Sequence, residues 1–448
     1  MNYNSFKEAV IAAANEYGVT DYELYYSSSD GTSVSAFKDE IDDFRADVSG
    51  GVCFRCINEG KMGYASTEKL SEDEAKSLVR RAADNALALE SDEAVFLGKA
   101  GQEYEPLSAD ETELPGTSEL VSFALRSQKA LYAADEHVTE GTATSVFSSR
   151  DEIAIFNSNG LDLHAAHQFC GAHLLAVVTD GSEKNDDHLT RISPLQDIDL
   201  EAEAAKVAAS AVSKLGGDTV KSGVYPVVFA PEAMSSLLGT FSVVFSSENA
   251  QRGLSRLAGR EGDMIAAPAV TLVDDPFYPE NPVKMNFDAE GSPAHRKNII
   301  ENGRLNTLLY NLKTAAKAGR ETTGNASKAS YSAPVEIRPF TMYVAPGAIS
   351  EDGLLKKAGS GVYINYLGGL HAGANVISGD FSLQSAGFLI EDGKKTTSVK
   401  SFTVAGNFYD LLKMITDIAD NIKLSRPGSI TGFASPAVLV DGLSVAGK

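Results

Sequence analysis

The sequence predicts a mixed α+β protein, with N-terminal α/β units built from antiparallel sheets and amphipathic helices, followed by a large β-rich C-terminal domain. Three observations carry this. Helical stripes and strand-like runs are interleaved through the first half of the chain. From Ser222 onward glycine becomes frequent and strand-like runs dominate. At 448 residues the chain is also too long for one ordinary core, since domains run to roughly 150 residues. The expected partition is 1–100, 101–217 and 218–448.

Ser5-Phe6-Lys7-Glu8 reads as a capping box, after which Phe6, Val10, Ala13 and Tyr17 recur at helical spacing until Gly18. Tyr22 to Ser27 and Gly51 to Ala65 have strand character, the second folded at Asn58-Glu59-Gly60-Lys61. A second box, Ser71-Glu72-Asp73-Glu74, opens a helix whose stripe is Ala75, Leu78, Val79, Ala82, Ala86 and Leu89. Between Glu90 and Gly116 the chain turns acidic and aperiodic, with Pro106 and Pro115, and reads as a linker or surface segment. Leu120 to Ala134 is again helical, and Ala143 to Thr179 reads as antiparallel strands turning at Asn159-Gly160. Leu200, Ala204, Val207, Ala211 and Leu215 mark a helix ended by Gly216-Gly217.

In the last unit, strands are expected at Val224 to Ala230, Ala269 to Val273, Glu336 to Val344 and Gly361 to Tyr366, with a hairpin from Ala386 to Val404 turning at Asp392-Gly393. Helices interrupt them at Pro231 to Phe245, where proline suits a first turn, at Thr307 to Ala318 and at Asn407 to Ile422. Phe408, Leu411, Leu412, Ile415, Ile418 and Ile422 would give the last helix its apolar face.

Hydrophobic residues make up 43% and charged residues 22% of the chain, which is globular usage, and no run approaches the ~18 apolar residues of a membrane span. The first residues hold neither a basic nor an apolar stretch of the kind that directs export, so a cytoplasmic protein is expected. Three cysteines make no disulfide framework. The 39 basic against 61 acidic residues leave a net charge of -22, which repels a phosphate backbone and argues against direct nucleic-acid binding.

On residue types alone, His164, His167, Cys170 and His173 are the best metal-binding constellation. The flanking Asn159-Gly160 turn and the run Leu174 to Thr179 argue for a strand, however, and positions three apart then alternate faces. His164 and Cys170 should point one way and His167 and His173 the other, so no metal site is expected. Cys53 and Cys56 lie in an apolar strand and should likewise face opposite sides as packing groups. Asp186-Asp187 and Asp274-Asp275 read as solvated turns. No GxSxG, Walker loop, GxGxxG or HExxH occurs.

The segment Gly368 to Phe381 is different in kind, because its glycines cluster between two strand signals. Glycine admits positive φ and close backbone approach, while His371, Asn375, Ser378 and Asp380 supply polar groups. At this loop a resemblance enters. Ser378-Gly379-Asp380-Phe381, followed by Gly387-Phe388-Leu389-Ile390-Glu391-Asp392-Gly393, resembles the TldD/PmbA family, formerly labelled modulator of DNA gyrase. Matches run in register through Thr271-Leu272-Val273-Asp274-Asp275-Pro276, Phe287-Asp288-Ala289-Glu290-Gly291, Ile299 to Leu305 and Thr323-Gly324-Asn325. They continue through Thr403-Val404-Ala405-Gly406-Asn407 and Val438 to Gly447, and more loosely at Gly50 to Ala65.

The resemblance implies two branches. TldD is a zinc peptidase whose helix carries HExxxH, with a cysteine near the C-terminus as a further ligand. The matching helix here, Pro231-Glu232-Ala233-Met234-Ser235-Ser236-Leu237-Leu238-Gly239-Thr240-Phe241, has no histidine, and no cysteine follows Cys170. The chain therefore resembles the metal-free TldE (PmbA) branch. That implies a non-catalytic subunit with no catalytic residue, metal ligand or cofactor of its own, pairing with a TldD-like zinc subunit in a cytosolic metallopeptidase complex that processes unfolded peptides. His371, Asn375, Ser378 and Asp380 are the peptide-groove candidates. The alternative is a homodimer that binds or scaffolds peptides without hydrolysis, and any link to gyrase would run through a degraded peptide.

Overall fold

The computed structural model describes residues 1–90, 93–107, 112–425 and 427–448, so parts of the acidic segment from Glu90 to Gly116 lie outside the described residues. Strands β1 (Asp21–Phe37), β2 (Glu40–Asn58), β3 (Lys61–Thr67), β4 (Ala143–Asn157), β5 (Asp162–Thr179) and β6 (Lys184–Ile192) form one antiparallel sheet in the order β3-β2-β1-β4-β5-β6. β1 pairs with β4 from Glu23–Asn157 to Phe37–Ala143, so the chain before and after residue 100 shares this sheet.

Four helices cover one face: α1 (Tyr3–Tyr17), α2 (Glu72–Ala88), α3 (Thr117–Ala134) and α4 (Leu200–Val212). Phe6, Val10, Leu78 and Val79 from the first two pack on Leu24 and Phe54. Leu120, Phe123 and Val207 from the second two pack on Val34, Val146, Leu174 and Val178. Each such side chain contributes about 1.5–3 kcal/mol by leaving water. The opposite face carries Tyr25, Cys53, Ile153, Ile155 and Ala165, which meet Met285, Phe287 and Phe340 of the C-terminal unit in a shared apolar seam.

The C-terminal unit opens with β7 (Gly223–Phe229), α5 (Pro231–Phe241) and α6 (Ser247–Gln251). β8 (Leu272–Asp275), β9 (Lys297–Glu301), β10 (Arg304–Leu305), α7 (Leu312–Ala318), β11 (Ala326–Ser327), β12 (Glu336–Ile337) and β13 (Thr341–Val344) follow. After α8 (Glu351–Ala358) come β14 (Gly361–Gly368), α9 (Leu370–Gly373), β15 (Asp380–Glu391), β16 (Lys394–Asn407) and α10 (Phe408–Met414). β17 (Ile415–Ile418), β18 (Lys423–Ser425), β19 (Gly432–Ser435) and β20 (Val438–Ala446) end the chain. One sheet runs β10-β9-β8-β13-β19-β18 and another β16-β15-β14-β7-β20-β17. In the latter, Thr403 to Ala405 also pair with Ala446 to Ser444, which closes β7, β14, β15, β16 and β20 into a small barrel. Closure removes the edges that a sheet of this length would otherwise expose. α5 packs between the barrel strand β14 and β19 of the other sheet, and Phe241 at its end stacks on Phe408 with centroids 4.6 Å apart.

Several local expectations change. The first helix begins at Tyr3, because the Asn2 side chain accepts from Ser5 N and caps it a turn before the Ser5 box. β1 and β2 continue well past Ser27 and Gly51 into a long hairpin turning at Lys38-Asp39, whose φ values of 51° and 62° suit a two-residue turn without glycine. The helix expected from Thr307 starts only at Leu312, where Asn311 caps it. The run Asn407 to Ile422 divides: α10 stops at Met414, and Ile415 to Ile418 become β17 beside β20. Its β-branched Ile415, Thr416 and Ile418 favour an extended backbone, and sheet pairing overrides the helical stripe. Pro339 splits the strand expected from Glu336 to Val344 into β12 and β13. α5 ends at Phe241, with Ser242 to Phe245 continuing as a 3₁₀ turn.

Candidate functional site

The glycine-rich segment leaves the barrel at the end of β14 and returns as β15. Asn375 folds it: its main-chain N–H donates to Asp380 O at 2.8 Å, and its Oδ1 accepts from Ile377 N and Ser378 N at 3.0 and 3.1 Å. Gly379 has φ 83°, and a Cβ there would lie 2.5 Å from the Tyr409 ring, so glycine alone lets the loop lie against α10. Asn407, the cap of α10, donates from Nδ2 to Ser378 O and to Asp380 Oδ1, both at 2.8 Å. The Asn407 bond first, then Ser378 and the field of Arg256, hold the Asp380 carboxyl below its ordinary range.

The segment after α6 faces this loop. Ser255 is buried and donates to Val244 O at 2.6 Å, and the Arg256 guanidinium lies over the Tyr409 ring, 5.6 Å from its centroid. An open groove of about 340 Å³ is lined by Gly253, Ser255, Arg256, Asn375, Ile377 and Ser378. Of the four residues expected from the sequence, Asn375 and Ser378 line it. Asp380 stands behind the lining, and His371 lies exposed on α9 outside it. Arg256 and Ser255 escaped sequence reasoning, since no motif surrounds them. The match ending at Asn407 was the one signal pointing to the α10 side. The lining supplies one guanidinium, an amide, hydroxyls and main-chain groups, which suit holding an extended peptide by hydrogen bonds and an anionic group by charge.

A second concentration of charge lies in the seam. Arg55 Nε donates to Glu23 Oε1 at 2.7 Å, and its Nη1 stands 3.6 Å from Glu290 Oε1. Desolvation raises the Glu290 carboxyl, with Arg55 opposing. Asp288 accepts from Ala326, Glu290 and Ser292 main-chain N–H groups, but burial and the Glu290 charge push it up to about 7. These groups shape the Phe287 to Gly291 turn.

The other candidates resolve individually. The His164 to His173 segment is β5, as read from the turn before it. Cys170 packs under α3 and α4, whereas His167 faces Met285, its Nε2 3.4 Å from Sδ. His173 Nδ1 is 2.9 Å from Thr190 Oγ1, and its ring lies 5.5 Å from that of His188. Cys53 and Cys56 fill cores on opposite faces of β2. Asp274 and Asp275 are not a solvated turn. They lie in β8, with Asp274 fully buried, accepting from Lys297 Nζ at 3.2 Å, Asn325 Nδ2 at 2.7 Å and Phe340 N at 2.8 Å. Asp186-Asp187 likewise belongs to a strand, β6, with Asp187 paired to Lys214 at 3.3 Å.

Three family models match in sequence order. Residues 22–86 match PmbA/TldA metallopeptidase domain 1, residues 111–215 the central domain, and residues 222–447 the C-terminal domain. This chain belongs to the PmbA/TldD family. It is 24% identical over 434 residues to the metalloprotease PmbA of Escherichia coli O157:H7, covering 95% of this chain and 92% of that one. It is 23% identical over 426 residues to a metalloprotease TldD homologue of Buchnera aphidicola, covering 89% and 86%. Among solved structures, a Thermotoga maritima protein carrying the provisional name of DNA gyrase modulator superposes with a TM-score of 0.90 at 29% identity over 99% of this chain and 100% of that one. TldE of Thermococcus kodakarensis shares the fold, with a TM-score of 0.89 at 22% identity over 98% and 100%.

A PmbA/TldD metallopeptidase raises the question of zinc, and the residues here do not fit it. α5 offers Glu232, Ser235, Ser236 and Thr240 but no histidine. Ser236 and Thr240 bond back to main-chain carbonyls of their own helix. Among the described residues no three His, Cys, Asp or Glu side chains are grouped so as to hold a metal ion.

Proposed function

We propose that this chain is the non-catalytic, TldE-like subunit of a cytosolic TldD/TldE-type metallopeptidase, shaping the peptide path for a zinc-bearing partner. The observation that carries the reading is the donor set of α5: a zinc peptidase of this family needs two imidazoles there, and this helix has neither. The groove beside the glycine-rich loop supports a binding role, since its amide, hydroxyl and guanidinium groups match an extended peptide. Catalysis then resides in the partner.

The test uses the purified full chain, alone and mixed with a zinc-bearing TldD-type chain. Alone, it is expected to return far less than one zinc per chain by elemental analysis and to leave an unfolded peptide uncut. Cleavage is expected on mixing. Stoichiometric zinc, or hydrolysis by this chain alone, would overturn the reading.

A further inference from the structure

Among the described residues, the Arg256 guanidinium makes no ion pair and donates no hydrogen bond, although it lines an open groove in a chain of net charge -22. Tyr409 holds it in place: the ring centroid lies 5.6 Å from the guanidinium carbon, and the hydroxyl accepts from Arg256 N at 3.4 Å. Asp380, the acid that feels its field, is engaged elsewhere, since its Oδ1 accepts from Asn407 Nδ2 at 2.8 Å and its carboxyl also bonds Ser378. The cation therefore faces the groove without a counter-charge.

Asn375 adds a second donor to the same wall. Its Oδ1 is taken by the N–H groups of Ile377 and Ser378, which leaves Nδ2 as the end of the amide with no partner among the described residues. The main chain of the loop, by contrast, is already committed. Asn375 N donates to Asp380 O, Ile377 N and Ser378 N to Asn375 Oδ1, and Gly379 N to Asn375 O, while Ser378 O accepts from Asn407 Nδ2. A peptide running past by strand pairing would need such groups free in alternation. The wall offers it donors from side chains instead, and a guanidinium beside an amide N–H suits a carboxylate. Next to them the Ile377 side chain is 48% exposed. The groove, at about 340 Å³, lies at the small end of the range for ligand pockets, enough for the end of a chain.

We propose that this groove is a carboxylate subsite, in which Arg256 and Asn375 hold the free C-terminal carboxylate of a bound peptide and Ile377 packs against an apolar last side chain. The proposal rests on the peptide-binding reading above and gives the bound peptide a direction. A glutamate or aspartate side chain carries the same group, but its main chain would have to continue past a loop whose own main chain has little left to pair with. The acidic surface at large repels a peptide carboxylate, and Arg256 supplies the opposite charge locally.

The test measures fluorescence anisotropy of short, N-terminally labelled peptides on the purified full chain. One peptide ends in leucine as the free acid, the second is its C-terminal amide, and the third is that amide with an internal glutamate before the leucine. The free acid is expected to bind about tenfold or more tighter than either amide. Arg256→Gln should erase the difference between acid and amide, and Arg256→Lys should keep part of it. Replacing the last leucine by serine should weaken the acid on the native chain but not on Ile377→Ser. Equal binding of acid and amide, an internal-glutamate amide that matches the acid, or a ratio of acid to amide affinity preserved in Arg256→Gln would overturn the proposal while peptide binding itself stands. If no peptide binds in any form, the peptide-binding reading falls with it. The subunit reading is decided separately, by zinc content and by cleavage on mixing.

Discussion

Arg55 on β2 and Glu290 in the C-terminal unit face each other across the seam at 3.6 Å, while the same guanidinium holds Glu23 at 2.7 Å. All three side chains are almost wholly buried. Removing charge from water is costly, so the cluster adds little net stability as a whole, but each carboxylate depends on the cation between them.

Arg55→Met is therefore expected to destabilise the protein by about 3–5 kcal/mol, because it strands two buried carboxylates. Urea unfolding should show a lower midpoint at an unchanged slope. Adding Glu23→Leu should recover part of the loss, since one stranded charge goes with it. A cost below about 1 kcal/mol for Arg55→Met would mean that the cluster is hydrated rather than buried.

Gly379 and Gly18 separate backbone strain from contact. Both have positive φ, at 83° and 72°, but a Cβ at Gly18 would meet nothing within 4 Å, whereas one at Gly379 would meet Tyr409 at 2.5 Å and Asn407 Oδ1 at 3.0 Å. Gly18→Ala should cost about 1–2 kcal/mol from the backbone alone. Gly379→Ala should cost more, and should also weaken peptide binding by moving the loop off α10. Equal costs by thermal unfolding, with unchanged peptide affinity, would remove the contact argument.

Glycine is why the loop was legible and Arg256 was not. The turns at Glu59-Gly60, Asn159-Gly160 and Asp392-Gly393 are spelled by residues that accept positive φ, and the chain turns at each. The Lys38-Asp39 turn reaches the same conformation without glycine. Its flanking strands, rich in serine, glycine and aspartate, lack apolar alternation because their faces are half open. The α10–β17 boundary was hidden for the opposite reason: Ile415 and Ile418 continue a helical stripe, and only pairing with Val438 to Val440 decides for the strand. Arg256 reaches Asn375 and Ser378 through folding over more than a hundred residues, a proximity that no local pattern encodes.

His173 gives a pH dependence of known sign. Partial burial first, and then the neighbouring His188, lower its pKa below the ordinary histidine value. The unfolded chain thus binds this proton more readily than the folded one, and stability is lost as pH falls through about 6.5 toward the folded value. The decline below that pH should be shallower in His173→Gln, which keeps a side-chain amide within reach of Thr190. An NMR titration of His173 with a midpoint at or above 6.5 would contradict this.

Asn407 does two jobs that a single substitution can divide. Its Oδ1 accepts from Tyr409 N at 3.1 Å and caps α10, while its Nδ2 ties Ser378 O and Asp380 to the cap. Asn407→Asp keeps an acceptor at a helix N-terminus, where negative charge is favourable, so α10 should persist. It loses the donor, worth about 1 kcal/mol at Ser378 O, and sets a second carboxylate against Asp380. The Asp380 carboxyl, held below its ordinary range chiefly by Asn407, should then rise. Peptide affinity should fall most at high pH, where both groups are ionised, with little change in global stability. Adding Asp380→Asn returns a donor between the two side chains and should restore much of the affinity. Loss of the fold in Asn407→Asp, or affinity independent of pH and of Asp380→Asn, would show that the cap and the loop are not separable in this way.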